Sequence, residues 1–330
     1  MQGELQLLER FRDRKICVIG DIIADVYIYG MPYKLSREAP VVVIKWEEER
    51  TCPGSAGNTI NNLLALGAQV FPVGYVGEDE AGGRLLEYFA SHANCALDGI
   101  VRHHGRTVTK TRILAGDTHT SKQQVIRVDK ENDRDLTATV RSELMQRLDA
   151  VAGLVDGFVL SDYEYGLIDD AVIDFVRQAA KELVVVGDSR QNLRKFQGFT
   201  LITPNESEAY ALSGLDGRRD IEEVGRTILS FMDVGALLVT RGNKGMNLFL
   251  RDGGIHHIPI SGSDEAADVT GAGDTVAATV ALALASGADF YTASNIANHA
   301  AGIVVMKSGT AVVTLDELKK VIEDHGPIHT

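Results

Sequence analysis

Cysteine is scarce in this chain of 330 residues, with three at positions 17, 52 and 95. They are far apart, odd in number and include no Cys-x-x-Cys pair. That argues against a disulfide framework or a zinc site and for reduced thiols. Cations are in deficit: 33 Lys and Arg stand against 46 Asp and Glu, a net charge of −13. Non-specific binding to nucleic acid or to an anionic membrane is therefore not expected. Long apolar runs are missing. The longest, Val276 to Ala285, is too short to span a bilayer. Met1 to Arg14 is charged and has no apolar centre, so it does not read as a secretory leader. The expected setting is soluble and cytoplasmic. A second glycine is lacking after the apolar run Lys15–Gly20, so the Gly-x-Gly-x-x-Gly dinucleotide turn is missing and a Rossmann dehydrogenase is disfavoured. There is no internal repeat or low-complexity tract.

What is present is an ordinary globular composition, 45% apolar, on a chain long enough for one large α/β domain with an appendage or for two domains. Lys15–Gly20 reads as a buried strand. From Tyr27 to Glu49, and again from Arg102 to Asp129, runs rich in β-branched residues are not followed at once by a helix. Two such blocks interrupting a βα chain predict a small β-sheet, inserted at about 27–52 and 98–130 and standing off the main domain. Lys110 and Arg112 would share one face of its strand, either as ligand-binding cations or as edge-protecting charge. Asn58 to Leu66 reads as a helix closed by Gly67. From Leu136 onward, helical stripes such as Val140, Leu144, Leu148 and Val151 alternate with short apolar runs, which predicts regular α/β alternation. His103 and His104 read as loop residues, and His299 as helix surface or pocket wall.

The stretch from Ala267 to Val276 stands apart. Gly271 and Gly273 leave the backbone bare, and a helix starting near Thr275 would aim its positive end at the same point. Anionic oxygen is the natural occupant. A carboxylate there, Asp274, makes chemical sense if it takes a proton from an attacking hydroxyl while the N–H groups hold a transferring phosphoryl group. The alternative is a tight loop with Asp274 as helix cap.

Asp268-Val-Thr-Gly-Ala-Gly-Asp-Thr-Val276 resembles the C-terminal signature of the PfkB (ribokinase-like) carbohydrate kinases, and other segments are similar to that family along almost the whole chain. The resemblance implies a three-layer α/β/α fold with a mainly parallel central sheet. It also implies a β-sheet lid over the sugar, often the seat of dimerisation. Asp274 would be the base, with the N–H groups of Gly271, Ala272 and Gly273 on the phosphoryl group. Asp25 matches the family's sugar-binding Asp. Pro53-Gly-Ser-Ala-Gly-Asn58 resembles its PGGAAN motif, which places Gly54 and Asn58 against the sugar. Ser55 there replaces a glycine.

Leu35-Ser-Arg-Glu-Ala-Pro40 resembles the Ser-Pro-Glu-Ala-Pro segment of the heptose-7-phosphate kinase branch, with Arg37 in place of proline. In that branch basic residues in the region of Lys110, Arg112 and Arg127 help bind the sugar phosphate, with Lys122 a further candidate. Asp162-Tyr-Glu-Tyr-Gly166 resembles its DYxKG, with Tyr165 in place of lysine, and Asp188-Ser-Arg190 stands where Asp-Pro-Lys is usual. Asn205 and Glu208 match the NxxE motif, which implies a place at the phosphates and the water shell of Mg²⁺. A capping box is the local alternative. Thr240, Gly242 and Gly245 match a T-x-G-x-x-G turn under the ATP phosphates and ribose. Asn298 and Gly302 fall in the adenine-side wall.

The implied cofactors are ATP and Mg²⁺, and the implied partners are a sugar phosphate and a second copy of the chain. The branch's acceptor is D-glycero-β-D-manno-heptose 7-phosphate, phosphorylated at the anomeric hydroxyl towards lipopolysaccharide precursors. Another acceptor (fructose, ribose, a ketodeoxy sugar acid or a nucleoside) stays open, as does a non-catalytic sugar- or nucleotide-binding protein. Heptose-7-phosphate kinase sometimes occurs fused to a nucleotidyltransferase; this sequence reads as the stand-alone kinase form.

Overall fold

The computed structural model describes residues 2–117, 122–131, 136–262 and 267–325. Helix α1 (Gln2–Glu9) leads into β1 (Lys15–Gly20), whose last five residues are all buried. The chain then leaves the main body along β2 (Ile22–Leu35), returns along β3 (Val42–Ser55) and enters α2 (Ala56–Ala65). Next come β4 (Gln69–Gly77), α3 (Glu80–Ala90) and β5 (Ile100–His103), then β6 (Thr109–Ala115) and β7 (Gln123–Lys130). Alternation follows through α4 (Ala138–Ala152), β8 (Gly157–Asp162), α5 (Asp170–Ala179), β9 (Val184–Ser189), β10 (Leu201–Ile202), α6 (Glu206–Ser213) and α7 (Ile221–Phe231). After β11 (Ala236–Thr240), β12 (Met246–Leu250) and β13 (Ile255–Ile258) come the helices α8 (Ala272–Ala285), α9 (Phe290–Val304) and α10 (Leu315–His325).

Nine strands form one sheet in the order β13-β12-β11-β10-β9-β8-β1-β4-β5. Every pairing from β11 to β5 is parallel, and only β12 and β13 at one edge run antiparallel. Parallel strands are covered on both faces and so read as apolar runs; β8 is buried at every position. One apolar core packs α1–α3 and α8–α10 against one face, and a second packs α4, α5 and α7 against the other. The result is the expected three-layer α/β/α body. Helix α8 is buried from Asp274 to Ala283, because its run of alanines lets it lie close to α2 and α9 over the sheet. Among the described residues, no helix is long and apolar enough to cross a membrane.

The second sheet, β3-β2-β6-β7, is the expected lid. Its boundaries differ from the sequence reading. The first hairpin is rooted deeper, at Ile22 and Ser55, because Asp25 and its neighbours are already in strand pairing. The second block starts at Thr109, since Ile100–His103 pairs with β4 and completes the main sheet. The register sets Asp25 beside Lys110, Tyr27 beside Arg112, and Arg112 opposite Arg127. Residues paired in this way share a face, so the anticipated common face for Lys110 and Arg112 extends to Asp25, Tyr27 and Arg127. The lid also leaves Tyr33, Leu35, Val41, Val42, Trp46, Val125 and Ile126 more than half exposed.

Candidate active site

Residues at the carboxyl ends of β8, β9, β10 and β11 line one cavity, β1 runs on into lid strand β2, and open α/β sheets bind ligands at such ends. Helix α8 starts at Ala272, three residues before the expected Thr275. Gly271 is its cap, at φ +79°. Asp274 therefore lies in the first turn and not at the cap. A Cβ on Gly271 would overlap the Asn58 amide, so the left-handed turn and the close approach both require glycine there.

Asp274 is 3% exposed. Its Oδ2 accepts a hydrogen bond from Asn58 Nδ2 (3.0 Å) and its Oδ1 accepts one from the Tyr163 hydroxyl (2.8 Å). Burial pushes its carboxyl up to about 6; the hydrogen bonds from Asn58 and Tyr163 oppose the rise, as does the Lys110 charge, while Asp25 adds to it. A buried carboxylate poised near the working pH is suited to general base chemistry.

Asn58 neither caps α2 nor opens into solvent. It is fully buried, and its amide also donates to the Gly271 carbonyl (3.2 Å) while Asn62 Nδ2 bonds its side-chain oxygen (3.3 Å). Its observed contacts therefore hold the base and the glycine turn together. The three backbone donors expected at Gly271–Gly273 are not equivalent. The Ala272 N–H closes a turn onto Val269 O (3.3 Å), whereas a Cβ on Gly273 would meet nothing within 4 Å.

Behind Gly273 lies a cleft of about 400 Å³. Asn205, Thr240, Gly242, Gly245, Asn298 and Gly302 all line it, together with Ala272 and Gly273. Two of these glycines also answer to packing. A Cβ on Gly302 would overlap the Ser261 carbonyl, and one on Gly245, at φ +75°, would overlap that of Ile258. Asn298 donates to Pro259 O (2.8 Å) and fixes the strand edge of the cleft.

On the lid side, Asp25 Oδ1 accepts from Arg112 at 2.5 Å, an ion pair whose side chains are 6% and 13% exposed. Arg112 also sits 5.3 Å from the centre of the Tyr27 ring. A Cβ on Gly54 would overlap the Asp25 carboxylate, so the close approach of Asp25 by itself requires glycine there. Lys110 is buried, with its ammonium 5.3 Å and 5.9 Å from the ring centres of Tyr163 and Tyr165, and burial lowers its pKa. Arg127 lies on the same face but is half exposed and pairs with Asp129 at 2.8 Å on its own strand. Lys122 pairs with Glu47.

A model of the pfkB family of carbohydrate kinases matches residues 13–317. The bifunctional protein HldE of Azorhizobium caulinodans is 40% identical over 318 residues, covering 93% of this chain and 64% of the relative. HldE of Gluconobacter oxydans is 40% identical over 320 residues, covering 95% and 65%. This chain belongs to the pfkB family of carbohydrate kinases. It spans about two thirds of the length of these curated relatives. Among solved structures, phosphofructokinase-2 from Escherichia coli has 16% identity and a TM-score of 0.75, covering 93% of this chain and 97% of that one. Ribokinase from Arabidopsis thaliana, complexed with ribose and ATP, has 20% identity and a TM-score of 0.71, covering 93% and 98%. At these identities the likeness shows the shared ribokinase-like fold.

Within this family framework, a smaller cavity of about 200 Å³ lies between cleft and lid, lined by Asp162, Tyr163, Asp188, Arg190, Thr203, Asn205, Glu208, Thr240 and Gly273. Asn205 and Glu208 form the capping box of α6, each side chain bonding the other's backbone N–H at 2.9 Å. Burial pushes both Glu208 and Asp188 above the usual carboxylate range. Oxygen-rich and short of positive charge, this cavity fits a hard cation. Among the described residues no cluster of three or more His, Cys, Asp and Glu could cage one. The donors therefore suit an ion that keeps most of its waters, as Mg²⁺ does.

The sequence reading missed Tyr163 and Arg190 as neighbours of the base; Arg190 lies 4.6 Å from the centre of the Tyr163 ring. It also missed Asp21, buried and pushed up to about 7 by that burial. Asp21 Oδ2 accepts from the N–H groups of Tyr163 (2.9 Å) and Tyr165 (3.2 Å) and shapes the turn that carries both tyrosines. Their position directly after a buried strand was the available signal.

Proposed function

We propose that this chain transfers the terminal phosphoryl group of Mg·ATP to a hydroxyl of a sugar phosphate, with D-glycero-β-D-manno-heptose 7-phosphate as acceptor and the 1,7-bisphosphate as product. The observation that carries the reading is Asp274, buried and poised at about 6, between a glycine-lined cleft and a lid face bearing Asp25, Lys110 and Arg112. The similarity to HldE proteins, with the segments shared with heptose-7-phosphate kinases, supports the acceptor.

In this reading Asp25, with Gly54 behind it, accepts from sugar hydroxyls, and Lys110, Arg112 and Arg127 attract the sugar's phosphate. Asn205, Thr240, Gly242, Gly245, Asn298 and Gly302 hold the nucleotide. Asn205 and Glu208 hold Mg²⁺ through its water shell, and the ion neutralises the triphosphate's charge. Asp274 takes the proton of the attacking hydroxyl. Backbone donors at Gly271–Gly273 stabilise the transferring group, a contribution of about 10²–10³ in rate for such donors. The exposed apolar lid residues, Trp46 and Leu35 among them, support a homodimer formed through the lid. A cytoplasmic setting suits both ATP and the free cysteines.

The test is ADP release from the purified chain with Mg·ATP and a panel of heptose 7-phosphate, sedoheptulose 7-phosphate, fructose, ribose and adenosine. Turnover confined to heptose 7-phosphate is the expected result. Turnover on an unphosphorylated acceptor would remove the phosphate role of Lys110, Arg112 and Arg127. No turnover on any member of the panel would overturn the reading.

A further inference from the structure

Asp274 is gripped by two donors from distant parts of the chain, and they differ in kind. The Asn58 amide donates to Oδ2 from α2 and is itself fixed by Asn62. The Tyr163 hydroxyl donates to Oδ1 from the end of β8, with Lys110 on the lid and Arg190 after β9 both lying against its ring. Cations at an aromatic ring draw density from it and make its hydroxyl a stronger donor. The turn behind the ring is held by Asp21, which accepts from the Tyr163 N–H.

We propose that Tyr163 is the positioning residue of the base: its hydroxyl fixes the Oδ1 edge of Asp274 and holds the carboxylate ionised, ready to take the acceptor's proton on a remaining lone pair. This rests on the assignment of Asp274 as base. The groups facing Asp274 are Asp25 and Lys110 from the lid strands and, past the phenol, Asp188 and Arg190 from the end of β9. Asp25 and Asp188 work against ionisation, whereas Lys110 and Arg190 favour it. Tyr163 is not a second base, because burial and the neighbouring Asp274 and Asp188 keep its own phenol protonated well beyond the usual range. Its hydroxyl is therefore a donor at every working pH. Lys110 reaches the base partly through this ring, which links the lid's position to the state of Asp274.

The test is a titration of the full chain carrying ¹³C in its aspartate carboxyls, with the Asp274 resonance identified by its loss in Asp274→Asn. No acceptor is needed. The wild-type midpoint is expected near 6. Tyr163→Phe keeps the ring and both cation contacts but removes the donor to the charged form. Its midpoint should therefore rise by about one to two pH units. Site-specific 3-fluorotyrosine at 163, a stronger donor of nearly the same shape, should lower it, and gives a second variant should the phenylalanine chain fold poorly. In turnover assays the acid limb of kcat should move in the same directions while KM for Mg·ATP holds. An unmoved midpoint in either variant overturns the role of Tyr163. Near wild-type turnover in Asp274→Asn would instead overturn the base assignment itself.

Discussion

Among the described residues, the cleft behind Gly273 is lined without an ionisable side chain. The lid face opposite it, only a few residues away through Asp274, carries Asp25, Lys110, Arg112, Arg127 and Asp129 in paired register. One region works by shape and backbone, since bare glycines bring carbonyls and N–H groups to the surface. The other carries charge, and at its buried end Asp25 and Arg112 are matched in an ion pair. A steric change should therefore damage the first and a charge change the second, and Asp274, next to Gly273 of the cleft and within the field of Asp25 and Lys110, should be sensitive to the loss of a single oxygen.

The largest expected effect is at that meeting point. Asp274→Asn should cut turnover by at least ~10²-fold, while nucleotide affinity stays close to wild type. Binding calorimetry beside the ADP-release assay separates the two quantities, and a mutant with near wild-type turnover would remove Asp274 as base. The same substitution has a stability signature. Because the folded state raises this carboxyl to about 6, it favours the protonated form. The stability it contributes is full below an ordinary carboxylate pKa of ~4 and is lost as pH rises through about 6. Asp274→Asn, which cannot ionise, should therefore gain in Tm relative to wild type between pH 4 and 7. A constant difference across that range would contradict the raised value.

Next comes the lid. Arg112→Met leaves the buried Asp25 without its partner, and losing one member of such a pair costs about 3 kcal/mol or more. Denaturant titration should show that loss, with KM rising for the phosphorylated acceptor and unchanged for Mg·ATP. Gly302→Ala makes the opposite cut. Its Cβ would press on the Ser261 carbonyl and force α9 away from the cleft. Overpacking of this kind costs about 1–3 kcal/mol, or roughly thirtyfold in nucleotide affinity if the middle of that range is lost from binding. If Gly302→Ala weakened the acceptor, or Arg112→Met the nucleotide, the two regions would not be the independent surfaces they look to be.

The same division decides what could be read in advance. Thr240, Gly242 and Gly245 meet in one cleft with Asn298 and Gly302, a set that the family resemblance implied and that a glycine turn after a strand would not have identified by itself. The common face of Lys110 and Arg112 followed from strand alternation. Their partners did not. Arg112 finds Asp25 across 87 positions, and Tyr163 finds Asp274 across 111. Nothing in either neighbourhood specifies the other; the parallel pairing of β2 with β6 sets the first contact, and the packing of α8 over the end of β8 sets the second. Gly54 shows the same limit from the other side. Its need for a bare backbone was visible, but the group that presses on it, the Asp25 carboxylate, was not. The start of α8 was misjudged because Gly271 caps it through backbone geometry alone, with no side-chain cap to mark the place.

The smallest effect expected is at the hinge between the two regions. Ser55 ends β3 and precedes α2, so it joins the lid to the helix that carries Asn58. It holds φ +56° and ψ −126°, a conformation that glycine adopts freely and a side chain resists. Such strain costs of order 1–3 kcal/mol. The sequence departs here from a glycine-containing motif, and the backbone has kept the glycine shape. Ser55→Gly should relieve the strain, but glycine also loses more entropy on folding, so the net gain should be about 1 kcal/mol, visible as a small rise in Tm. If Tm falls, the Ser55 side chain contributes more than its backbone strain. If Tm rises while KM for the acceptor improves and KM for Mg·ATP does not, the strain bears on the charged side of the site alone, and the lid is set against the cleft through this one residue.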